Sequence, residues 1–124
     1  MGRVLTKEGM EAMSELSKYL AKQKKEYLSV ISESSRGQSA YQLVKIALEH
    51  SGSSSAAAAS LLLSLEYGRG FNLQDLVRFD AENRAHADLV ITGCIAHELW
   101  PSVWLSEEGY DGKSLINEVR NKWE

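Results

Sequence analysis

Between Ser53 and Leu65 the chain reads SSSAAAASLLLSL, with apolar or small residues on every side of a helical wheel. A helix that is apolar all round has no face to leave in water, so other elements must surround it. Alanine and leucine are strong helix formers, and flexible Gly/Ser linkers lack large apolar side chains, so the stretch is not a linker. Its internal position also removes a signal-peptide reading. Alanines let neighbouring helices approach closely. A chain of 124 residues, 44% hydrophobic and 25% charged, buries enough surface for one ordinary core. One proline and nine glycines leave few interruptions. The expectation is all-α: a compact single-domain bundle, residues 1–124, of five or six helices around the central Ala/Leu-rich helix.

Local signals place the others. Thr6 suits an N-cap, with Glu8 in the first turn, for a helix carrying Met10, Met13, Leu16, Leu20, Tyr27 and Ile31 inward. Lys22, Lys24 and Lys25 crowd one weak turn of that stripe, and Lys22 and Glu26 have the spacing of a solvated pair. Ser35 and Gln38 have capping-box spacing for a second helix reaching His50, with Leu43, Val44, Ala47 and Leu48 inward and Gly52 as a left-handed stop. Ser53 to Ser55 offer caps for the Ala/Leu-rich helix, and Gly68 ends it. Asn72 caps a short helix containing Asp75. Asp80, followed by Glu82, caps a long helix carrying Ala85, Leu89, Val90, Ile95 and Leu99 until Pro101 ends it. The stretch SVWLSEEGYDG is too short and too aromatic to assign, and a last helix from about Lys113 buries Leu115, Ile116, Val119 and Trp123.

Charge is uneven. Residues 1–50 hold eight Lys/Arg and six Asp/Glu, giving +2; residues 51–124 hold six and eleven, giving −5. That is too little basic character for a dedicated nucleic-acid binder. The single cysteine, Cys94, rules out an internal disulfide and suits a reducing compartment; with no signal-peptide pattern and no apolar run long enough for a membrane span, a cytoplasmic protein is expected.

Catalytic patterns are thin. Cys94 and His97 have i, i+3 spacing, but His86 lies about 16 Å along the same helix, and two ligands are too few for zinc. A mid-helix thiol in apolar company also lacks the cationic neighbour that activates a nucleophile. A buried cysteine beside a partly buried histidine is the expected outcome, with no catalytic residue, metal or cofactor. Asp75 and Asp80 are read as helix starts. In YGRGF, Arg69 sits between two glycines and two aromatics, but no GK[ST] follows to make a phosphate loop. Trp100, Trp104, Trp123 and Tyr110 gather in the last quarter; Trp123 is read as core, whereas WPSVW is the better contact candidate. The candidate partner-binding residues are therefore Tyr67, Arg69, Phe71, Trp100, Trp104 and Tyr110.

From Ser60 to Asn83, SLLLSLEYGRGFNLQDLVRFDAEN, the chain resembles a family of small uncharacterised bacterial proteins of plasmids, integrative elements and prophages. Leu62, Leu63, Gly68, Phe71, Leu73, Asp75, Leu76 and Asp80 carry the likeness, and Asn72 replaces the first acid of the motif. The resemblance implies a compact helical domain of mobile-element origin and brings no activity. Taken together, the expectation is a non-enzymatic mobile-element accessory protein that binds a protein partner, host or element-encoded, as an inhibitor of host defence or regulation. The alanine-lined helix also suits a homodimer. Two rival readings are a nucleic-acid-associated factor using Lys22, Lys24, Lys25 and Arg36, and a small enzyme centred on Cys94 and His97.

Overall fold

In the computed structural model the described residues are 7–124, with side chains described from Ser14 onward. The expected Thr6 cap, and the side chains of Glu8, Met10 and Met13, lie outside the described residues. Among the described residues six α-helices follow one another: α1 (Lys7–Glu33), α2 (Arg36–Glu49), α3 (Ser53–Tyr67), α4 (Ala81–His97), α5 (Pro101–Glu107) and α6 (Gly112–Trp123). A 3₁₀ helix, Leu73–Arg78, joins α3 to α4, and no strand occurs among the described residues. The fold is all-α. α5 is the element that SVWLSEEGYDG did not disclose.

Several helix ends follow local chemistry. Ser35 and Gln38 form the reciprocal capping box of α2. Asn72 accepts a hydrogen bond from the Gln74 N–H, and Asp80 accepts one from the Asn83 N–H at the start of α4. Gly68 ends α3 at φ 70°, where a Cβ would be strained.

Other ends differ from expectation. Gly52 has φ −80° and is the N-cap of α3, not a left-handed stop, and none of Ser53 to Ser55 caps that helix. α4 stops at His97, with Glu98 in the left-handed region; Pro101 does not end α4 but begins α5, where its missing N–H costs nothing.

Two helix termini are completed by remote residues. The α5 N-cap position, Trp100, makes no side-chain cap bond. Instead the Glu66 carboxylate of α3 accepts from the Ser102 N–H at 2.9 Å and from the Ser102 hydroxyl at 2.7 Å, placing negative charge at the helix's positive end. At the other polarity, α2 has no basic residue in its last turn. The Lys122 ammonium of α6 donates to the carbonyls of Ala47 and Leu48 at 2.9 and 3.0 Å, and also to that of His50, while the Trp123 indole donates to Ala47 at 2.9 Å. Carbonyls that no α2 residue can reach are satisfied this way.

One buried cluster unites α2 to α6: Leu43, Val44 and Ala47 of α2, Ala57 to Ala59 and Leu61 to Leu63 of α3, Val90 and Cys94 of α4, Leu105 of α5, and Ile116 and Val119 of α6. α3 is buried on most sides, but α2 packs against α3, α4, α5 and α6, so these two helices share the middle expected for the alanine-rich helix alone. α1 packs mainly along α4. Ile95, expected on the buried stripe of α4, is 69% exposed because α1 and the other helices do not reach it.

The α2–α4 interface contains a polar pair. The fully buried Ser39 hydroxyl lies 2.9 Å from His86 Nδ1. Burial lowers the His86 pKa below its usual 6.5, against a smaller opposing pull from Asp80. Below pH 6.5 the unfolded chain therefore takes up a proton that the folded chain still refuses. Stability is complete above that value, falls as pH drops towards the folded pKa by at most about 1.4 kcal/mol per pH unit, and then levels. Urea denaturation from pH 7.5 to 5 reads this slope, and a His86→Gln variant shows a flatter profile over the same window.

Candidate functional site: an exposed face and groove on α1

Cys94 and His97 lie in different environments. The Cys94 thiol is buried, and burial together with the nearby Glu66 charge pushes its pKa up to about 11, despite an opposing contribution from the Trp104 N–H. At neutral pH almost none of it is thiolate. His97 is exposed rather than partly buried and meets the Trp104 ring edge-on, centroids 5.7 Å apart. Among the described residues no group of three or more His, Cys, Asp or Glu stands close enough to hold a metal ion.

The six residues expected to bind a partner fall into separate environments. Tyr67 is exposed at the end of α3, with the guanidinium groups of Arg69 and Arg120 over its ring at 5.2 and 5.6 Å. Arg69 also pairs with Glu124, so its charge is largely neutralised within the chain. Phe71 is half-buried against the core and anchors the turn after α3. Trp100 is 49% exposed at the α4–α5 corner. Trp104 is half-buried and carries the Arg36 guanidinium over its ring at 5.6 Å. Tyr110 stacks on Tyr41 at 4.1 Å, which turns most of one face inward. Tyr67 and Arg69 meet one another, and none of the contacts just described joins them to Phe71, Trp100, Trp104 or Tyr110. Arg36 is likewise separated from Lys22, Lys24 and Lys25: its side chain lies against Gly93 and Trp104, where a Cβ on Gly93 would come within 2.3 Å of it.

Leu16 and Leu20, expected on the inward stripe of α1, lie instead on its surface. On α1, Leu16, Tyr19 and Leu20 are 57, 57 and 52% exposed. Their i, i+3, i+4 spacing makes them one contiguous row. The row leads into a groove of about 350 Å³ between α1 and the start of α4, lined by Leu20, Lys24 and Tyr27 on one side and Phe79, Arg84 and Asp88 on the other. Its geometry is firmly held. The Tyr27 hydroxyl donates to the Asp88 carboxylate at 2.6 Å, a bond that raises the tyrosine pKa above 10. Arg84 donates to the Leu76 carbonyl at 2.6 and 3.0 Å, which fixes the end of the 3₁₀ helix against α4. Lys22 and Glu26 form the expected solvated pair at 4.0 Å on the outer side of α1.

Periodicity alone could not separate this row from a core stripe, because both use the same spacing. Length could have. α1 has 27 residues, about 40 Å, whereas its neighbour α4 has 17, about 25 Å. The excess of α1 has no helix of equal length to cover it.

Comparison with protein-family models, with curated proteins and with solved structures finds no match to this chain.

Proposed function

We propose that this chain is a non-enzymatic accessory protein that acts by binding another protein, and that the Leu16–Tyr19–Leu20 face of α1 with its adjoining groove carries the contact. The observation that supports the reading is the row itself: three large apolar side chains, each more than half exposed, adjacent on one helix and continuous with a concave surface. Single exposed leucines are ordinary, but a contiguous row beside a groove is the form that helix-docking surfaces take. The buried, protonated Cys94 thiol supports a binding role over thiol chemistry. The likeness of residues 60–83 to proteins of plasmids, integrative elements and prophages supplies the setting, an element-borne protein that occupies a host or element-encoded partner and so inhibits a defence or regulatory system in the cytoplasm.

The test is affinity capture from bacterial lysate with tagged wild type and a Leu16→Glu/Leu20→Glu variant, each with and without nuclease. The expected result is one stoichiometric protein that survives nuclease and falls at least about tenfold with the variant, the loss that two anchor residues cause. Recovery that vanishes with nuclease moves the contact to nucleic acid and to Lys22, Lys24 and Lys25. Equal capture by both proteins removes α1 as the contact.

A further inference from the structure

A second cavity opens where four helices meet, beyond the α1–α4 groove. It has a volume of about 490 Å³ and lies between the end of α1, the start of α2, the middle of α4 and the end of α5. Its apolar wall is Ile31, Leu89 and Trp104, and its charged groups are Arg36, Glu107 and Glu108. One of those three is already engaged. The Glu108 carboxylate accepts from the Ser35 hydroxyl, and its stem fills the space that a Cβ on Gly37 would need, 2.1 Å from Glu108 Cγ. Arg36 and Glu107 are not engaged in this way. They line the same cavity, yet neither forms an ion pair, with the other or with any other group, among the described residues.

Packing, rather than an ion pair, holds Arg36 in place. Its stem occupies the gap left by Gly93, where a Cβ would come within 2.3 Å of Arg36 Cδ, and its guanidinium sits over the Trp104 ring. Its Nε is buried with no hydrogen-bond partner. A partly buried guanidinium that no carboxylate engages is costly, and one already fixed against an aromatic ring loses little freedom when an acceptor arrives. Its planar fork of donors selects a carboxylate. A plain anion, however, would meet Glu107 and Glu108 in the same cavity, and a plain cation would meet Arg36. The charges therefore favour a molecule that carries both signs, and the wall of Ile31 and Leu89 favours one with an apolar body.

We propose that this cavity binds a small zwitterion, an amino acid or dipeptide with an apolar side chain, whose carboxylate pairs with Arg36 and whose ammonium pairs with Glu107. The inference goes beyond the α1 docking surface and does not depend on it, since no residue of the Leu16–Tyr19–Leu20 row lines this cavity. A ligand here touches four helices at once, so it also stabilises the folded chain by mass action.

Nuclear magnetic resonance titration of the full chain, following the Trp104 indole N–H and the Arg36 and Gly37 amides, tests this. The probes are L-leucine, leucyl-leucine, N-acetyl-leucine, which lacks the ammonium, and leucinamide, which lacks the carboxylate. The expected result is a saturable shift with leucine or leucyl-leucine at about 1 mM or below, and binding at least about tenfold weaker for both capped probes. Glu107→Gln and Arg36→Gln each weaken the uncapped probe by a similar factor, whereas Glu107→Gln leaves N-acetyl-leucine no weaker than before. Glu107 is exposed, so its variant keeps the wild-type urea midpoint, and it decides the matter alone if Arg36→Gln is unstable. Capped probes that bind as tightly as uncapped ones overturn the proposal, and so does binding that survives both substitutions. The absence of a saturable shift with every probe overturns it too, and means that Arg36 and Glu107 close on each other in solution. Leu16→Glu/Leu20→Glu leaves probe binding intact, so a failure of this site and a failure of the α1 docking surface are read separately.

Discussion

Replacing Gly112 by alanine lowers stability by about 3 kcal/mol, the upper part of the range for forcing extra volume into a packed interior. The reason is backbone, not conformational freedom. Gly112 opens α6, and a Cβ there would lie 2.0 Å from the Ser102 carbonyl oxygen and 2.8 Å from its carbon. Ser102 cannot move away, because its N–H and hydroxyl are both held by Glu66. α6 must therefore retreat by more than an ångström, which loosens Ile116 and Val119, both buried in the common core. It also pulls Lys122 and Trp123 from the end of α2. Urea denaturation reads the loss, and the thermal midpoint falls on the order of 10 °C. Gly70→Ala is the control: no atom lies within 4 Å of its Cβ and its φ is not positive, so its stability stays within about 1 kcal/mol of wild type. Equal behaviour of the two variants would mean that α5 and α6 do not pack this closely.

That contact also marks the boundary of what could be read from the sequence. Caps at Ser35, Asn72 and Asp80 are legible because each cap bond joins residues two or three apart, even though the Ser35 hydroxyl also donates to the distant Glu108 carboxylate. Pro101 is ambiguous in sequence because proline both stops a helix and starts one, and the choice here follows from Glu66 accepting the N–H of Ser102, 36 residues away. Gly52 is ambiguous for the same kind of reason: its extended backbone caps α3, and the end of α2 is completed from α6 by Lys122. The candidate site shows the limit most clearly. Aromatics in the last quarter drew attention, yet Trp104 and Tyr110 have partners in Arg36 and Tyr41 that only folding supplies. Leu16 and Leu20 looked like core because an apolar stripe does not say whether its cover comes from the same chain. The relative lengths of α1 and α4 say so, and they appear only once the two helices are known to be neighbours.

Leu62→Ala costs about 3–5 kcal/mol, since Leu62 is fully buried in α3 and the remaining helices can close only part of the space. The more informative variant adds Ala58→Leu. Ala58 and Leu62 are one turn apart on the same face, and Ala58 is also fully buried, so the double variant keeps side-chain volume and moves it by about 6 Å along the helix. If α3 were a greasy rod whose surroundings adapt to any apolar load, the double variant would recover most of the loss. The packing argues otherwise. α2 and α3 pack against each other, Ala40 and Ala47 of one and Ala57 to Ala59 of the other are all buried in the common cluster, and small residues let helix backbones come close. A leucine at 58 meets that approach, while the space left at 62 is lined by side chains that cannot follow. The double variant is therefore expected to be less stable than either single variant, by about 1–3 kcal/mol relative to Leu62→Ala. Urea midpoints of the four proteins measure the coupling directly. Recovery in the double variant would show that α3 supplies only volume; further loss shows that its order of alanines before leucines is a shape, cut to let α2 lie against it.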